Sequence, residues 1–84
     1  MLNFNLEYYR AFYSVAQLGS ISKAAEALCL SQPAVTRSVQ KLEQQLAQPL
    51  FTRTGKGMRL TTEGEVLFSH IAAAFAALLA GEQA

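Results

Sequence analysis

Apolar side chains recur at steps of three and four residues along the first part of the chain, the spacing of one buried helix face. Gly19 interrupts the repeat, so we predict a first helix over about residues 5–18. The repeating positions are Leu6, Tyr9, Phe12, Val15 and Ala16. A second helix of about two turns follows, with Ser20 or Ser22 as its N-cap. Its apolar face is Ala24, Ala25 and Leu28.

A third helix is predicted after a break at residues 29–31. Ser31 or Gln32 can cap it, and Pro33 suits its first turn, where a missing N–H does no harm. Pro49 ends the element, because the residue before a proline disfavours helical geometry. The predicted buried stripe is Ala34 or Val35, Val39, Leu42 and Leu46. The outward-facing side chains are Gln32, Thr36, Arg37, Gln40 and Lys41.

The remaining residues predict a hairpin and a long helix. Two short runs, residues 50–53 and 58–60, flank Thr54-Gly55-Lys56-Gly57, whose glycines permit a tight connection. Thr61 is a suitable N-cap for a final helix that runs to about residue 80 and ends near Gly81. Gly64 costs that helix about 1 kcal/mol relative to alanine, so we expect another segment to pack closely against it.

This order of elements predicts a mainly α fold. Residues 1–61 form a winged helix-turn-helix of three helices plus a short β-hairpin wing, and residues 62–84 form a long C-terminal helix. The length of 84 residues fits one small domain.

Composition excludes several classes of function. The lone cysteine and lone histidine cannot form an internal disulfide or the usual four-ligand zinc site, and the absence of aspartate excludes a Ser-His-Asp triad. We therefore expect no enzyme, no metal and no cofactor. The first six residues lack the features of a signal peptide, and the uncharged stretch Val66–Ala80 has 15 residues where a membrane span needs about 20. We expect a cytoplasmic protein without a membrane partner.

The net charge of +1 argues mildly against nucleic acid, but its distribution reverses that argument. Residues 31–60 carry +4, residues 1–30 carry zero and residues 61–84 carry −3. The positive charge is confined to the third helix and the hairpin, which are the parts that a winged helix-turn-helix presents to DNA.

The third helix carries side chains that can read bases. Arginine can bond guanine through two donors, glutamine can bond adenine, and a threonine methyl can pack on thymine. The predicted base-reading residues are Gln32, Pro33, Thr36 and Arg37. The predicted phosphate or wing contacts are Ser22, Lys23, Ser31, Lys41, Arg53 and Lys56, of which Arg53 or Lys56 would enter the minor groove. The alternatives are the solvated face of an ordinary helical domain and a protein-interaction module that leaves this face unused.

Residues 6–64 resemble the N-terminal DNA-binding domain of the LysR-type transcriptional regulators. The matching segments are Gly19–Ala25, Leu30–Arg37, Leu42-Glu43, Pro49–Arg53 and Arg59–Gly64. The resemblance implies a sequence-specific bacterial transcription factor whose third helix reads the major groove and whose wing, at Arg53, reaches the minor groove. It also implies that two linker helices pair antiparallel, giving a homodimer on an interrupted inverted repeat. A small-molecule effector would bind only through a C-terminal domain that these residues do not encode, so we expect a fragment of a longer regulator.

The last helix has more apolar surface than one small domain can cover, which favours pairing with a second chain. The predicted dimerisation residues are Leu67, Phe68, Ile71, Phe75, Leu78 and Leu79.

His70 fits a helix surface or interface better than a ligand position. Cys29 fits a half-buried turn position, and a redox role would need a partner that the sequence does not supply. Ala47 stands where the family often has glycine, so a left-handed backbone there would carry strain of about 1 kcal/mol.

Overall fold

The computed structural model describes residues 4–84, so the prediction about the first six residues lies partly outside it. The elements in chain order are α1 (Leu6–Leu18), α2 (Ile21–Leu28), α3 (Gln32–Leu46), β1 (Phe51–Thr54), β2 (Gly57–Leu60) and α4 (Thr62–Gln83). The two strands form an antiparallel hairpin in which Phe51 lies opposite Leu60 and Arg53 opposite Met58. The predicted winged helix-turn-helix with a long final helix is confirmed.

Polar N-caps fix where the four helices begin. In each, the side chain of the residue before the helix accepts a hydrogen bond from a backbone N–H of the first turn, which satisfies a donor that has no partner within the helix. Of the predicted alternatives, Ser20 caps α2 and Ser31 caps α3. The four caps are Asn5, Ser20, Ser31 and Thr61.

The core lies where α1 crosses α2 and α3, closed on one side by the hairpin and α4. Its largest fully buried side chains are Phe12, Val15, Val35, Leu42 and Leu50. The predicted stripe of α3 is confirmed at Val35, Val39 and Leu42. The predicted burial of Leu46 is wrong: its side chain is 40% exposed, because Leu46 ends α3 just where the chain turns away at Ala47.

The predicted end of α4 near Gly81 is also wrong, since α4 continues to Gln83. Gly81 has no other atom within 4 Å of a potential Cβ, and it does not adopt the positive φ of a helix-ending glycine. The helix therefore passes through it. Gly64, at the other end of α4, lies against the backbone of Leu50 as expected, and a Cβ there would also meet Leu60 Cδ2 at 3.0 Å.

One charged side chain ties the hairpin to α3. The Glu43 carboxylate accepts hydrogen bonds from Leu50 N at 2.7 Å and Phe51 N at 3.3 Å. Both amides belong to the segment that leads into β1, and hydrogen bonds to a charged group are stronger than neutral ones. Glu43 thereby fixes the entry of the hairpin relative to the helix that carries the predicted base-reading residues.

Among residues 4–84, two residues other than glycine have a left-handed backbone, both at helix ends. Cys29 caps α2 at φ 58° and Ala47 caps α3 at φ 55°. The left-handed backbone on which the predicted strain at Ala47 depends is thus present. Cys29 is exposed, not half-buried as predicted, because it caps the end of a helix and does not lie on its apolar face.

We expect Ala47→Gly to stabilise the fold by about 0.5–1 kcal/mol. The substitution removes left-handed strain of about 1–2 kcal/mol, while the greater freedom of glycine in the unfolded chain takes back about 0.4–1 kcal/mol. Urea denaturation of the two proteins measures the difference. Gly19→Ala is the matched control of opposite sign, since Gly19 has φ 67° and its Cβ would meet only Met58 O, at 3.9 Å. A stabilising Gly19→Ala would contradict this account.

Candidate nucleic-acid interface

The exposed edge of α3 carries most of the predicted base-reading residues. Ser31 accepts a hydrogen bond from Ala34 N at 3.2 Å, which starts the helix at Gln32. Successive residues are about 100° apart around a helix, so burial of Val35, Val39 and Leu42 turns Pro33 and Arg37 toward solvent. Gln32, Pro33 and Arg37 are exposed and Thr36 is half-buried.

A groove of about 510 Å³ runs along one side of this edge, and we call it the wing groove. It is bounded by the α1–α2 connection, by the start of α3 and by the hairpin. Its lining residues are Leu18, Gly19, Ser20, Ile21, Ser22, Lys23, Gln32, Thr36, Arg53, Lys56, Gly57 and Met58. Six of them were predicted as site residues from the sequence: Ser22, Lys23, Gln32, Thr36, Arg53 and Lys56. The groove is lined by three cations and no acidic side chain.

Backbone contacts place the wing beside the helix-turn-helix. Met58 N donates to Gly19 O at 3.1 Å, and a Cβ on Gly57, whose φ is 117°, would collide with the same carbonyl. Arg53 lies opposite Met58 in the hairpin register, so it is held on the groove side. The Thr54 hydroxyl donates to Gly57 O and accepts from Lys56 N, which shapes the turn that presents Lys56.

A second groove, of about 370 Å³, lies on the other side of α3, and we call it the α1 groove. Its lining residues are Asn5, Glu7, Tyr8, Arg10, Leu28, Leu30, Ala34, Arg37, Ser38 and Lys41. Arg37 and Lys41 therefore do not share the wing groove with the other predicted residues. Arg10 also lines the α1 groove. The sequence did not predict it as a site residue, because it is the single arginine of α1 and lies in a segment of zero net charge. Ser31 lines neither groove, and its hydroxyl serves as the cap of α3.

The predicted dimerisation residues divide into two groups. Phe68 and Phe75 pack on Tyr13 of α1, with ring centroids 5.1 Å apart in each pair. Ile71 is buried, and Leu67 is half-buried against the core. Leu78 and Leu79 are 60% and 54% exposed. One face of α4 therefore completes the core of its own chain and the other remains open.

A third, apolar groove of about 270 Å³ lies between α1 and α4, and we call it the α4 groove. Its lining residues are Phe4, Leu6, Tyr9, Leu67, His70, Ile71, Ala74, Phe75 and Leu78. Apart from His70, its walls are apolar or aromatic, and Phe4 and Leu6 are 61% and 57% exposed. Apolar surface of this kind marks a binding face.

With 22 residues and an 18-residue window of mean hydropathy 1.6, α4 is long and apolar enough by length and composition to cross a membrane. The sequence-based argument against a membrane span, which rested on length, therefore loses its force. In the structure α4 packs on its own domain, where Gly64 and Ile71 are buried. Among residues 4–84, no group of three or more His, Cys, Asp or Glu side chains is placed to hold a metal ion.

The sequence model of the bacterial regulatory helix-turn-helix proteins of the LysR family matches residues 6–65. The chain belongs to the LysR family. The match covers the helix-turn-helix, the wing and the first turn of α4, so it includes both sides of the wing groove.

Relatives of this LysR-family chain include the HTH-type transcriptional regulator GalR of Pseudomonas putida, 52% identical over 63 residues. That alignment covers 75% of the chain and 16% of GalR, so the chain spans about a sixth of the relative's length. Such relatives are named as transcriptional regulators and not as enzymes.

Two solved structures of DNA complexes share the fold. The BenM DNA-binding domain with benA site 1 DNA has a TM-score of 0.88 and 28% identity, covering 95% of this chain and 93% of that one. The complex of the CbnR DNA-binding domain with DNA has a TM-score of 0.82 and 31% identity, covering 95% of this chain and 90% of that one. The chain is therefore a LysR-type helix-turn-helix domain of the DNA-binding regulators.

Proposed function

We propose that the chain binds double-stranded DNA as a homodimer at an interrupted inverted repeat and regulates transcription as part of a longer protein. In each protomer α3 lies in a major groove and the wing enters the adjacent minor groove. The observation that carries the proposal is the wing groove, where six residues predicted for DNA contact line one basic surface beside the exposed edge of α3. The DNA complexes of the BenM and CbnR domains support it.

The base-reading residues of the proposal are Gln32, Pro33, Thr36 and Arg37. They occupy the first two turns of α3, where a helix-turn-helix contacts base edges. Gln32 and Arg37 offer the paired hydrogen-bonding groups that distinguish adenine and guanine, while Pro33 and the Thr36 methyl offer apolar surface to thymine. Sequence preference would come from these four side chains.

The phosphate contacts of the proposal lie around them. Ser22 and Lys23, exposed in the first turn of α2, and Lys56 at the wing tip flank the wing groove. Arg53 is the side chain proposed for the minor groove, whose negative potential attracts cations. Ser31 and Lys41 would contact the backbone from α3. Such contacts fix the register of the protein without carrying sequence information.

The dimer of the proposal forms through α4. Apolar surface at Leu78, Leu79 and Val66 is left exposed by the single chain, and a second α4 is the matching apolar partner. The full division is residues 1–61 for DNA binding and residues 62–84 for linkage and dimerisation. In the longer protein the effector would bind in a separate domain, and the site of action would be the cytoplasm.

Selection of bound duplexes from a random pool tests the proposal as a whole. We expect an inverted repeat whose half-sites lie about one helical turn of DNA, or a multiple of it, apart. Direct repeats or single half-sites would contradict the homodimer. Recovery of no preferred sequence would favour the protein-interaction module, for which the exposed α4 groove is the supporting observation.

We expect Lys41→Ala to weaken binding equally on the selected duplex and on an unrelated duplex of equal length. Lys41 is exposed on α3 beyond the first two turns that the proposal assigns to base reading, so we assign it to a phosphate. The plot of log K against log salt should become shallower by about 0.9 units for each protomer bound. Fluorescence anisotropy titrations at several KCl concentrations measure the slope. A loss confined to the selected duplex would assign Lys41 to base reading instead.

A further inference from the structure

The two basic grooves lie on opposite flanks of α3. Gln32 and Thr36 line the wing groove, whereas Arg37 and Lys41 line the α1 groove. The walls of a DNA major groove are the backbones of opposite strands, so a helix inserted in it has a phosphate backbone on each side. The wing groove accounts for one of them. The α1 groove is placed to face the other.

The side chains of the α1 groove suit an anion. Arg10, Arg37 and Lys41 contribute three positive charges, opposed by the single carboxylate of Glu7. The Asn5 side chain is already engaged, since it accepts a hydrogen bond from Glu7 N at 3.0 Å. The cationic groups of Arg10, Arg37 and Lys41 make no hydrogen bond to another residue of 4–84. Three exposed cations are thus available to a ligand outside the chain.

The position of Arg10 is fixed by the core. Its neighbours in sequence, Ala11 and Phe12, are buried at 1% and 0% exposure, which anchors this part of α1. The packing of α1 on α3 then places Arg10 and Lys41 in the lining of the same groove. An arginine held on a rigid helix can bond two oxygens of a phosphodiester with little loss of side-chain freedom.

We propose that the α1 groove binds a phosphodiester of the DNA strand opposite to the one met by the wing groove, with Arg10 as its main contact and Lys41 beside it. This inference rests on the proposed function, since it requires α3 to lie in a major groove. The inference adds a DNA contact from α1 to that proposal, so each protomer contacts the phosphate backbones of both strands that border the major groove.

The first test compares the salt dependence of DNA binding for Arg10→Gln, Arg10→Lys and Arg59→Gln. Arg59 is the matched control: it is exposed, lines neither groove and lies on the hairpin face opposite to Arg53, because side chains alternate along a strand. We expect Arg10→Gln to reduce affinity about tenfold at low salt and to flatten the slope by about 0.9 units per protomer. Arg10→Lys should retain the slope, and Arg59→Gln should resemble the wild type.

Glu7→Gln should change the DNA affinity in the direction opposite to Arg10→Gln. Removing the only carboxylate of the groove should raise DNA affinity, and Arg10→Gln should lower it. Circular dichroism at the temperature of the titrations verifies that each variant is folded. An unchanged or lower affinity of folded Glu7→Gln would count against a phosphate in this groove.

The second test uses duplexes with a single uncharged methylphosphonate at successive backbone positions. We expect one position, on the strand opposite to the wing contacts, to weaken the wild type but to have no further effect on Arg10→Gln. Additive losses at every position would overturn the inference, as would equal behaviour of Arg10→Gln and Arg59→Gln. If the wild type binds neither the selected nor an unrelated duplex, the proposed function itself fails. Binding that depends on Arg37 but not on Arg10 rejects only the α1 groove.

Discussion

Replacing Arg37 with alanine should weaken binding to the selected inverted repeat by about 1–3 kcal/mol for each half-site. Arg37 is exposed on α3, turned away from the buried Val35 and Val39. In the proposed complex its guanidinium would reach a base edge with two parallel donors, and alanine keeps the helix but removes both. In the proposed homodimer both protomers carry the change, so the losses at the two half-sites add.

Titration of the selected duplex against an unrelated duplex separates base reading from charge. The loss for Arg37→Ala should be greater on the selected duplex, and the preference at one base pair of each half-site should relax. Lys41→Ala, which removes a charge one helical turn away, is the matched control and should affect both duplexes alike. Equal losses for Arg37→Ala on the two duplexes would reassign Arg37 to the phosphate backbone.

The second large effect concerns the fold. We expect Gly64→Ala to destabilise the domain by about 2 kcal/mol. A Cβ at this position would overlap the carbonyl oxygen of Leu50 and meet Leu60 Cδ2 at 3.0 Å, so either the hairpin or the start of α4 must move. Overpacking against backbone costs about 1–3 kcal/mol, and the better helix propensity of alanine returns about 1 kcal/mol at most.

Gly81→Ala is the control for Gly64→Ala in the same helix. No other atom lies within 4 Å of a Cβ at Gly81, so only helix propensity acts there and the change should be neutral or stabilising. Urea denaturation followed by circular dichroism measures both variants. Similar effects at the two glycines would show that the contact with Leu50 does not limit the fold.

Hydrophobic spacing together with turn and cap residues was sufficient to predict the four helices, the hairpin, the cap at Thr61 and, as one of two alternatives, the cap at Ser31, because these depend on nearby residues. Leu46 shows where spacing fails: it continues the buried stripe of α3, but burial also requires a neighbour, and the chain has already turned away. The end of α4 was misplaced for a related reason. A glycine ends a helix only when its backbone is left-handed, and residue type alone does not reveal whether it is.

The candidate site was predicted unevenly. Ser22, Lys23, Gln32, Thr36, Arg53 and Lys56 come together in the wing groove, a result that local charge and the family resemblance had anticipated. Arg10 was missed because its place beside Lys41 depends on how α1 packs across α3. Glu43 was counted only as a negative charge, whereas its carboxylate fixes the start of the hairpin. Both depend on contacts between residues distant in sequence.

The short connection between the wing and α4 has a consequence for the spacing of half-sites. Thr61 is the one residue between β2 and α4, and its hydroxyl donates to Pro49 O at 2.8 Å and accepts from Gly64 N at 3.0 Å. With Gly64 packed against Leu50, this junction ties the wing directly to α4. In the proposed dimer, the paired α4 helices would then set the separation and orientation of the two DNA-binding surfaces. Adding one base pair between the half-sites would rotate one of them by about a tenth of a turn, and the contacts at this junction would resist the matching movement of the DNA-binding surface.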